Sequence, residues 1–470
     1  MQLANVKSFT ETFMKQDVND VVISVPLYFT NKQRQAMLDA AKIAGLRCYR
    51  VINDTTATAL SYGILRKKQL IEKPMTVMFM DMGYGDFQVA IVQLDGKGMT
   101  VKGTAFDANL GGYNFDERLA NFLNKQFVEK HKVDLRQHPK SWIKLLQAAE
   151  KAKKTMSPVG VNKARINLEC IYRETDFRSE VTIEELEQLT ADLMPRVRDT
   201  VQRALDAANM KVEDLSSCEA TGGSIRMRFV KKMISDMIGS SKMSFTLNQD
   251  ECTARGCAIM SAILSPKVKV LPYDIADAVE HSMSVRWRRN KVAADGSTES
   301  SLNLFQRMAS YPKEMQFTLK RTEPFRLSVM YDDGDGRLPK STSRTVGVFD
   351  VDTKAAKEAI EEAAKEGRKN EVRIFFEYDA SGLVHLKAAD YMRKNKQPEP
   401  EPEIVAPETP KESKNATEAS ADSKKKETTD DADANDDKAK DGADNKVRIE
   451  RSIFGVALAW SCREDQKLPI

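Results

Sequence analysis

Residues suited to soft-metal or acid–base chemistry are scarce in this 470-residue chain, which has four histidines, six cysteines and three tryptophans. The cysteines, Cys48, Cys170, Cys218, Cys252, Cys257 and Cys462, form no C-x-x-C pair, and a chain of this length buries enough apolar surface to need no covalent staples. A reducing, cytoplasmic setting fits this pattern. No second Cys or His pair accompanies Cys252 and Cys257 to complete a zinc site, so they read as small apolar thiols. Long hydrophobic runs are also missing. The apolar stretch at 453–460 is far shorter than the roughly 20 residues a membrane-spanning helix needs, and the opening MQLANVKSFTETFMKQ lacks the apolar core of a signal peptide. Lys and Arg number 73 against 69 Asp and Glu, a formal charge of +4. That balance gives no ground for nucleic-acid or membrane partners.

What remains is a chain of 41% apolar and 30% charged residues, long enough for roughly two to four domains. Residues 21–25 form a β-branched run closed by Pro26. Thr30 with Gln33 makes a capping box, and Met37, Ala40, Ala41 and Ala44 share a helical face that Gly45 closes. Strand signals at 76–80, 87–94 and 100–106 are separated by turn-rich segments and predict a three-stranded meander. Helices are expected from about Asn114 and over 141–155, strands over 164–171 and 177–181. The Thr182–Glu185 capping box then opens a long amphipathic helix that Pro195 should kink or break. A helix follows the Thr221-Gly-Gly-Ser224 turn, and a last one spans 250–263. This order predicts an α/β body. From 315 to 391 alternating strands suggest a second, mostly β domain, with a helix over 354–365.

After Gln397 the sequence is too poor in large apolar residues to form a core, and disorder is expected. Residues 399–444 hold 15 acids against 7 basic residues, so this stretch carries −8 and the remainder +12.

Three glycine turns are the candidates for binding chemistry, although each alone is also a common turn. Asp81-Met-Gly83-Tyr-Gly follows a strand, where Gly lets backbone amides approach phosphate oxygens and an acid can hold a magnesium-bound water. The same D-x-G-x-G pattern also describes an ordinary hairpin turn. Leu110-Gly111-Gly112 and Ala220-Thr-Gly222-Gly223-Ser224 lie at strand-to-helix junctions, where helix N-termini favour anions. Between them runs Glu150-Lys-Ala-Lys153-Lys154-Thr-Met-Ser157. Its lysines also suit a solvated helix face, with Glu150 as their i,i+3 or i,i+4 partner. Arg226 can stack on an aromatic base or pair with a carboxylate, and Ser224 can cap the helix after it.

Taken in order, Val22-Ile-Ser-Val-Pro-Leu-Tyr-Phe29, Asn53-Asp-Thr-Thr-Ala-Thr-Ala59, Leu110-Gly-Gly-Tyr-Asn-Phe-Asp116, Glu150 through Ser157, Gly222-Gly-Ser-Ile-Arg226 and Leu247-Asn-Gln-Asp-Glu251 resemble the seventy-kilodalton heat-shock protein family. Phe376-Glu-Tyr-Asp-Ala-Ser-Gly-Leu383 resembles its substrate-binding β domain. Asn53-Asp-Thr-Thr in place of N-E-P-T, the Arg-Gly-Cys257 context and the acidic insertion point to the large, hundred-and-ten-kilodalton branch. The resemblance implies an actin-like (ribonuclease H-like) nucleotide-binding domain over 1–265, incomplete at its N-terminus. A linker and the start of the β domain follow at 266–314, then a β-sandwich-like peptide-binding domain at 315–396, the acidic segment at 397–446 and an atypical tail at 447–470.

The resemblance also implies ATP and Mg2+ as cofactors. Gly222, Gly223, Ser224 and Arg226 would sit by the adenosine, and Glu150, Lys153, Lys154 and Ser157 would close over base and ribose. Gly111 and Gly112 would lie on the phosphate and sugar side, Asp81 and Gly83 at the phosphates through magnesium, and Asp250 near the third turn. The implied function is nucleotide exchange on a seventy-kilodalton heat-shock chaperone together with holding of unfolded polypeptides, in the cytoplasm and also the nucleus. An ATP-hydrolysing foldase and a passive chain without nucleotide binding are the alternatives. Two departures bear on hydrolysis. The family's opening Asp and Gly-Thr phosphate loop and its lysine would precede Met1. Where the family has D-L-G-G-G-T-F-D, this chain has Asp81-Met-Gly-Tyr-Gly-Asp-Phe-Gln88, so that Tyr84 and Asp86 crowd or repel a γ-phosphate and Gln88 replaces an acid.

Overall fold

The computed structural model describes residues 1–289, 297–332, 334, 337–339, 342–353, 361, 365 and 371–392. The helix expected over 354–365, apart from Glu361 and Lys365, lies outside them, as do the acidic segment and the tail.

Helix α1 (Gln2–Met14) opens the chain. It answers to no expectation above, because none of its residues is buried and no apolar period marks it. Strand β1 (Asp20–Val25) and strand β2 (Arg47–Asn53) pair in parallel across helix α2 (Asn31–Ile43). The capping box forms as read: Thr30 Oγ1 accepts the Gln33 amide, and Gln33 Oε1 accepts the Thr30 amide at 2.9 Å. Helices α3 (Asp54–Leu65) and α4 (Lys67–Glu72) follow.

The meander is β3 (Met75–Met82), β4 (Phe87–Leu94) and β5 (Gly98–Asp107). Its strands are mostly apolar because both faces are covered. Met78, Met80 and Met82 of β3 point into one core with Val89 and Ile91, while Val77 and Phe79 point into another with Ala90 and Val92. A separate subdomain of helices α5 (Gly112–His131) and α6 (Pro139–Met156), the hairpin β6 (Lys163–Tyr172) and β7 (Thr175–Thr182), and helix α7 (Ile183–Leu189) has its own core around Leu119, Phe127, Leu145 and Phe177. Pro195 breaks the expected long helix. α7 ends at Leu189 and α8 (Met194–Ala208) restarts with the proline in its first turn, where its missing N–H costs nothing. Helix α8 covers the first face of the meander together with α9 (Arg228–Ile238), which follows strand β8 (Ser217–Thr221). After β9 (Met243–Ser244), helix α10 (Cys252–Leu264) packs with α3 on the other face.

The body's sheet also takes two strands from beyond residue 265. β10 (Asp274–Ala278) pairs in parallel with β5, and after β11 (Met283–Arg288) and β12 (Glu299–Phe305) the short β13 (Ser310–Tyr311) pairs with β10. The sheet therefore has seven strands in the order β13-β10-β5-β4-β3-β8-β9. The β region is completed by β14 (Lys313–Leu319), β15 (Phe325–Tyr331), β16 (Thr345–Val351), β17 (Glu371–Tyr378) and β18 (Val384–Met392). A four-stranded sheet, β12-β11-β15-β16, and a three-stranded one, β14-β17-β18, share a core of Val285, Leu327, Val329, Ile374 and Phe376.

Candidate nucleotide site

The three glycine turns, which the resemblance placed around one nucleotide, meet at one point. Gly112 N donates to Gly83 O (3.0 Å) and Tyr113 N to Tyr84 O (2.9 Å), and the Ser224 hydroxyl donates to Gly83 O at 2.7 Å. Their approach depends on missing side chains. A Cβ on Gly111 would stand 2.4 Å from Tyr84 O. At Gly222, φ is +83° and a Cβ would lie 2.3 Å from Met82 O and 2.6 Å from Asp81 Oδ1, so only glycine fits there. Open space lies over Gly223 and Gly85.

Helix α6 closes one side. Buried Lys153 is committed to the protein itself: its ammonium lies 2.7 Å from Asp116 and donates to Gly112 O at 2.9 Å. Burial first, and then the neighbouring opposite charge working against it, lowers the Lys153 pKa and raises that of Asp116. Glu150 and Lys154 form the i,i+4 ion pair at 2.6 Å, more exposed at the lysine. Ser157 donates to Lys153 O at 3.0 Å and finishes the helix. Arg226, exposed, donates to Gln249. Asp250 is exposed one residue further on, its amide held by Asn248 Oδ1 at 3.1 Å. Of the residues singled out in sequence, Asp81, Gly83, Gly111, Gly112, Gly222, Gly223, Ser224 and Lys153 are thus brought together, while Asp250 stands at the margin.

Asp81, next to last in β3, is in register with Gln88 on β4 and Thr221 on β8. Burial, then the charges of Asp54 and Asp86, push its carboxyl up to about 7. Asp86 is pushed up to about 6, again by burial first and then by Asp54. Gln88 mediates between them: its side-chain amide donates to Asp86 Oδ2 at 2.8 Å and Asp54 Oδ2 at 3.4 Å, while its oxygen accepts Leu27 N at 2.8 Å. The arrangement offers backbone and side-chain groups for a polyphosphate on one side and a carboxylate for a hydrated cation on the other. Among the described residues no three His, Cys, Asp or Glu side chains are grouped to hold an ion directly.

The family model of the Hsp70 protein matches residues 1–465. The chain belongs to the Hsp70 family. Three of its relatives are Hsp110-like. It is 36% identical over 394 residues to heat shock protein hsp88 of Neurospora crassa, covering 83% of this chain and 54% of that protein. To human heat shock 70 kDa protein 4L it is 38% identical over 333 residues, covering 70% of this chain and 39% of the relative. To a heat shock protein homolog of Naumovozyma castellii it is 33% identical over 392 residues, 83% and 55% respectively. The chain thus spans about half the length of the curated relatives it matches, or less.

In this Hsp70-family chain, sequence reasoning missed Asp54 and Gln249 as participants. Asp54 gave no signal beyond its place in the Asn53-Asp-Thr-Thr run. It sits in the first turn of α3, and only the fold carries that turn across to Gln88. Asp116 was visible in its motif, but its partner Lys153 is 37 positions away in the sequence, so the pair could not be read. No helix among the described residues is long and apolar enough to cross a membrane.

Proposed function

We propose that the chain is an ATP-binding co-chaperone that accelerates nucleotide exchange on a seventy-kilodalton heat-shock chaperone and holds unfolded polypeptides. The observation that carries this is the convergence of the three glycine turns around Gly83 and Asp81, in a member of the Hsp70 family. In this reading residues 1–265 form the ATP-binding domain, 266–314 the connection, and 315–396 the peptide-holding domain, and the chain works in the cytoplasm. Gly223, Ser224 and Arg226 hold the adenosine together with Glu150 and Lys154. Gly83, Gly111 and Gly112 shape the phosphate side, and Asp81 orients a magnesium-bound water. Bound Mg-ATP supplies a polyphosphate that ties the three turns together. Lys153 acts from beneath, fixing Gly112 through its carbonyl.

The exchange role is preferred to ATP hydrolysis because Asp86, only partly screened by Gln88, places negative charge beside the phosphate turn. Calorimetry of Mg-ATP with the 470-residue chain, with circular dichroism on the same sample, tests the binding. Release of labelled ADP from a partner chaperone tests the exchange. Acceleration at micromolar concentration is expected, and its absence from a folded, ATP-binding chain would remove the exchange role. Single-turnover hydrolysis approaching that of a foldase would favour the alternative.

A further inference from the structure

The phosphate turn carries an aromatic residue where its neighbours are glycines. Tyr84, between Gly83 and Gly85, is 57% exposed, and Tyr113, which opens helix α5 beside Gly112, is 37% exposed. Their rings meet edge to face, 5.8 Å apart at 73°. The backbones beneath them are stitched by the Tyr113 N–H donating to Tyr84 O, which fixes the two turns that carry the rings relative to each other. Cδ2 of Tyr84 lies 3.6 Å from where a Cβ on Gly112 would stand, in the same small space that Ser224 Oγ and Lys153 Nζ approach. Burial, then the charges of Asp116, Glu150 and Tyr113, push its phenol pKa up, with Lys154 opposing. The ring therefore lies against the Gly112 turn, beside Ser224 of the third turn and the Lys153 ammonium that reaches in from α6.

The geometry points to Tyr84 as a nucleoside-contacting residue: its ring forms an aromatic wall on the sugar and base side of the cleft, held upright by Tyr113. This rests on the nucleotide-binding reading above and adds to it a residue that discriminates nucleosides from bare polyphosphates. An aromatic ring beside a phosphate-binding turn offers a π-face to a base and an apolar edge to a ribose, whereas a polyphosphate gains nothing from it. Tyr113 is a positioning residue that acts through Tyr84.

Calorimetry with the full chain separates these roles, using Mg-ADP, adenosine and inorganic tripolyphosphate as probes against wild type, Tyr84→Ala, Tyr84→Phe and Tyr113→Ala. Tyr84→Ala is expected to weaken ADP and adenosine by the same factor, about tenfold, the range of single aromatic–base contacts. Tripolyphosphate should change less than twofold. Tyr84→Phe keeps the ring and should stay near wild type, and Tyr113→Ala should weaken both nucleosides by a few-fold. Unchanged ADP and adenosine affinity in a folded Tyr84→Ala chain would overturn the inference while leaving nucleotide binding in place. Equal loss of all three probes would overturn it too, by showing that the ring merely supports the turn. A wild-type chain that is folded but binds none of the probes would remove the inference together with the reading it rests on.

Discussion

Lys153 and Asp116 form an ion pair 2.7 Å apart with both side chains almost fully withdrawn from solvent. The helix-borne lysine that the sequence offers for a nucleotide is therefore also a strut between α6 and α5. Removing one member of such a pair leaves an unpaired buried charge, which costs about 3–5 kcal/mol. Lys153→Met should lower the melting temperature of the nucleotide-free chain, and Lys153→Met with Asp116→Leu should recover much of it. Differential scanning fluorimetry without ligand checks both.

Acidity at the Asp81–Asp86 turn sets a pH dependence with a definite sign. Asp81 and Asp86 hold protons up to about pH 7 and 6 in the folded chain, whereas in the unfolded chain they lose them near 4. Their contribution to stability is thus complete below about pH 4 and is lost as pH rises through 6 and 7. The wild-type chain should lose stability relative to Asp86→Asn between pH 5 and pH 8, by about 1–2 kcal/mol once partial solvent screening is allowed for. Urea unfolding of the two chains across that window measures the difference. Added Mg2+ should narrow it at pH 8, where the carboxylates are ionised.

Gly222 cannot accept even a methyl group. Its φ of +83° and the 2.3 Å distance from a would-be Cβ to Met82 O make Gly222→Ala costly by about 1–3 kcal/mol. The shift that relieves the clash moves the third turn away from Asp81. Calorimetry should show Mg-ATP affinity lost at temperatures where circular dichroism still reports a folded chain.

Arg34 joins the body to the β region. Buried on α2, it donates to Phe29 O at 3.0 Å, to Leu27 O and Ser381 O at 3.3 Å, and to Asn53 Oδ1. Arg50 adds a bond to Ala380 O at 2.8 Å. Arg34→Ala should raise hydrogen exchange in the turn around Asp379–Gly382 and at Leu27–Phe29 together, with little change at β3 and β4, as followed by mass spectrometry.

Local signals were legible where one segment carries its own instructions. Thr30 with Gln33 and Thr182 with Glu185 fixed two helix starts, Pro195 broke a helix, and the alternation at 317–320, 325–329 and 372–378 marked strands. The glycine turns were visible for the same reason, since a turn is a local event. What lay beyond reach depends on distant partners: the Gln88 bridge to Asp54, the strut from Lys153 to Asp116, and the pairing of β10 with β5, whose residues are 176 apart at Asp274 and Gly98. Helix α1 escaped for a different cause. With every side chain at least partly exposed, it has no buried face to imprint a period.

The seven-stranded sheet takes its last two strands, β10 and β13, from the stretch that connects the body to the β region. This stretch is no slack leash. Pulled apart along the line joining the two units, the chain has to peel β10 from β5 and β13 from β10 one bond at a time, as a zip opens, before the connection lengthens. Tension applied to the β region therefore reaches the same sheet that carries Asp81, and the two units share a mechanical load that a flexible tether would have absorbed.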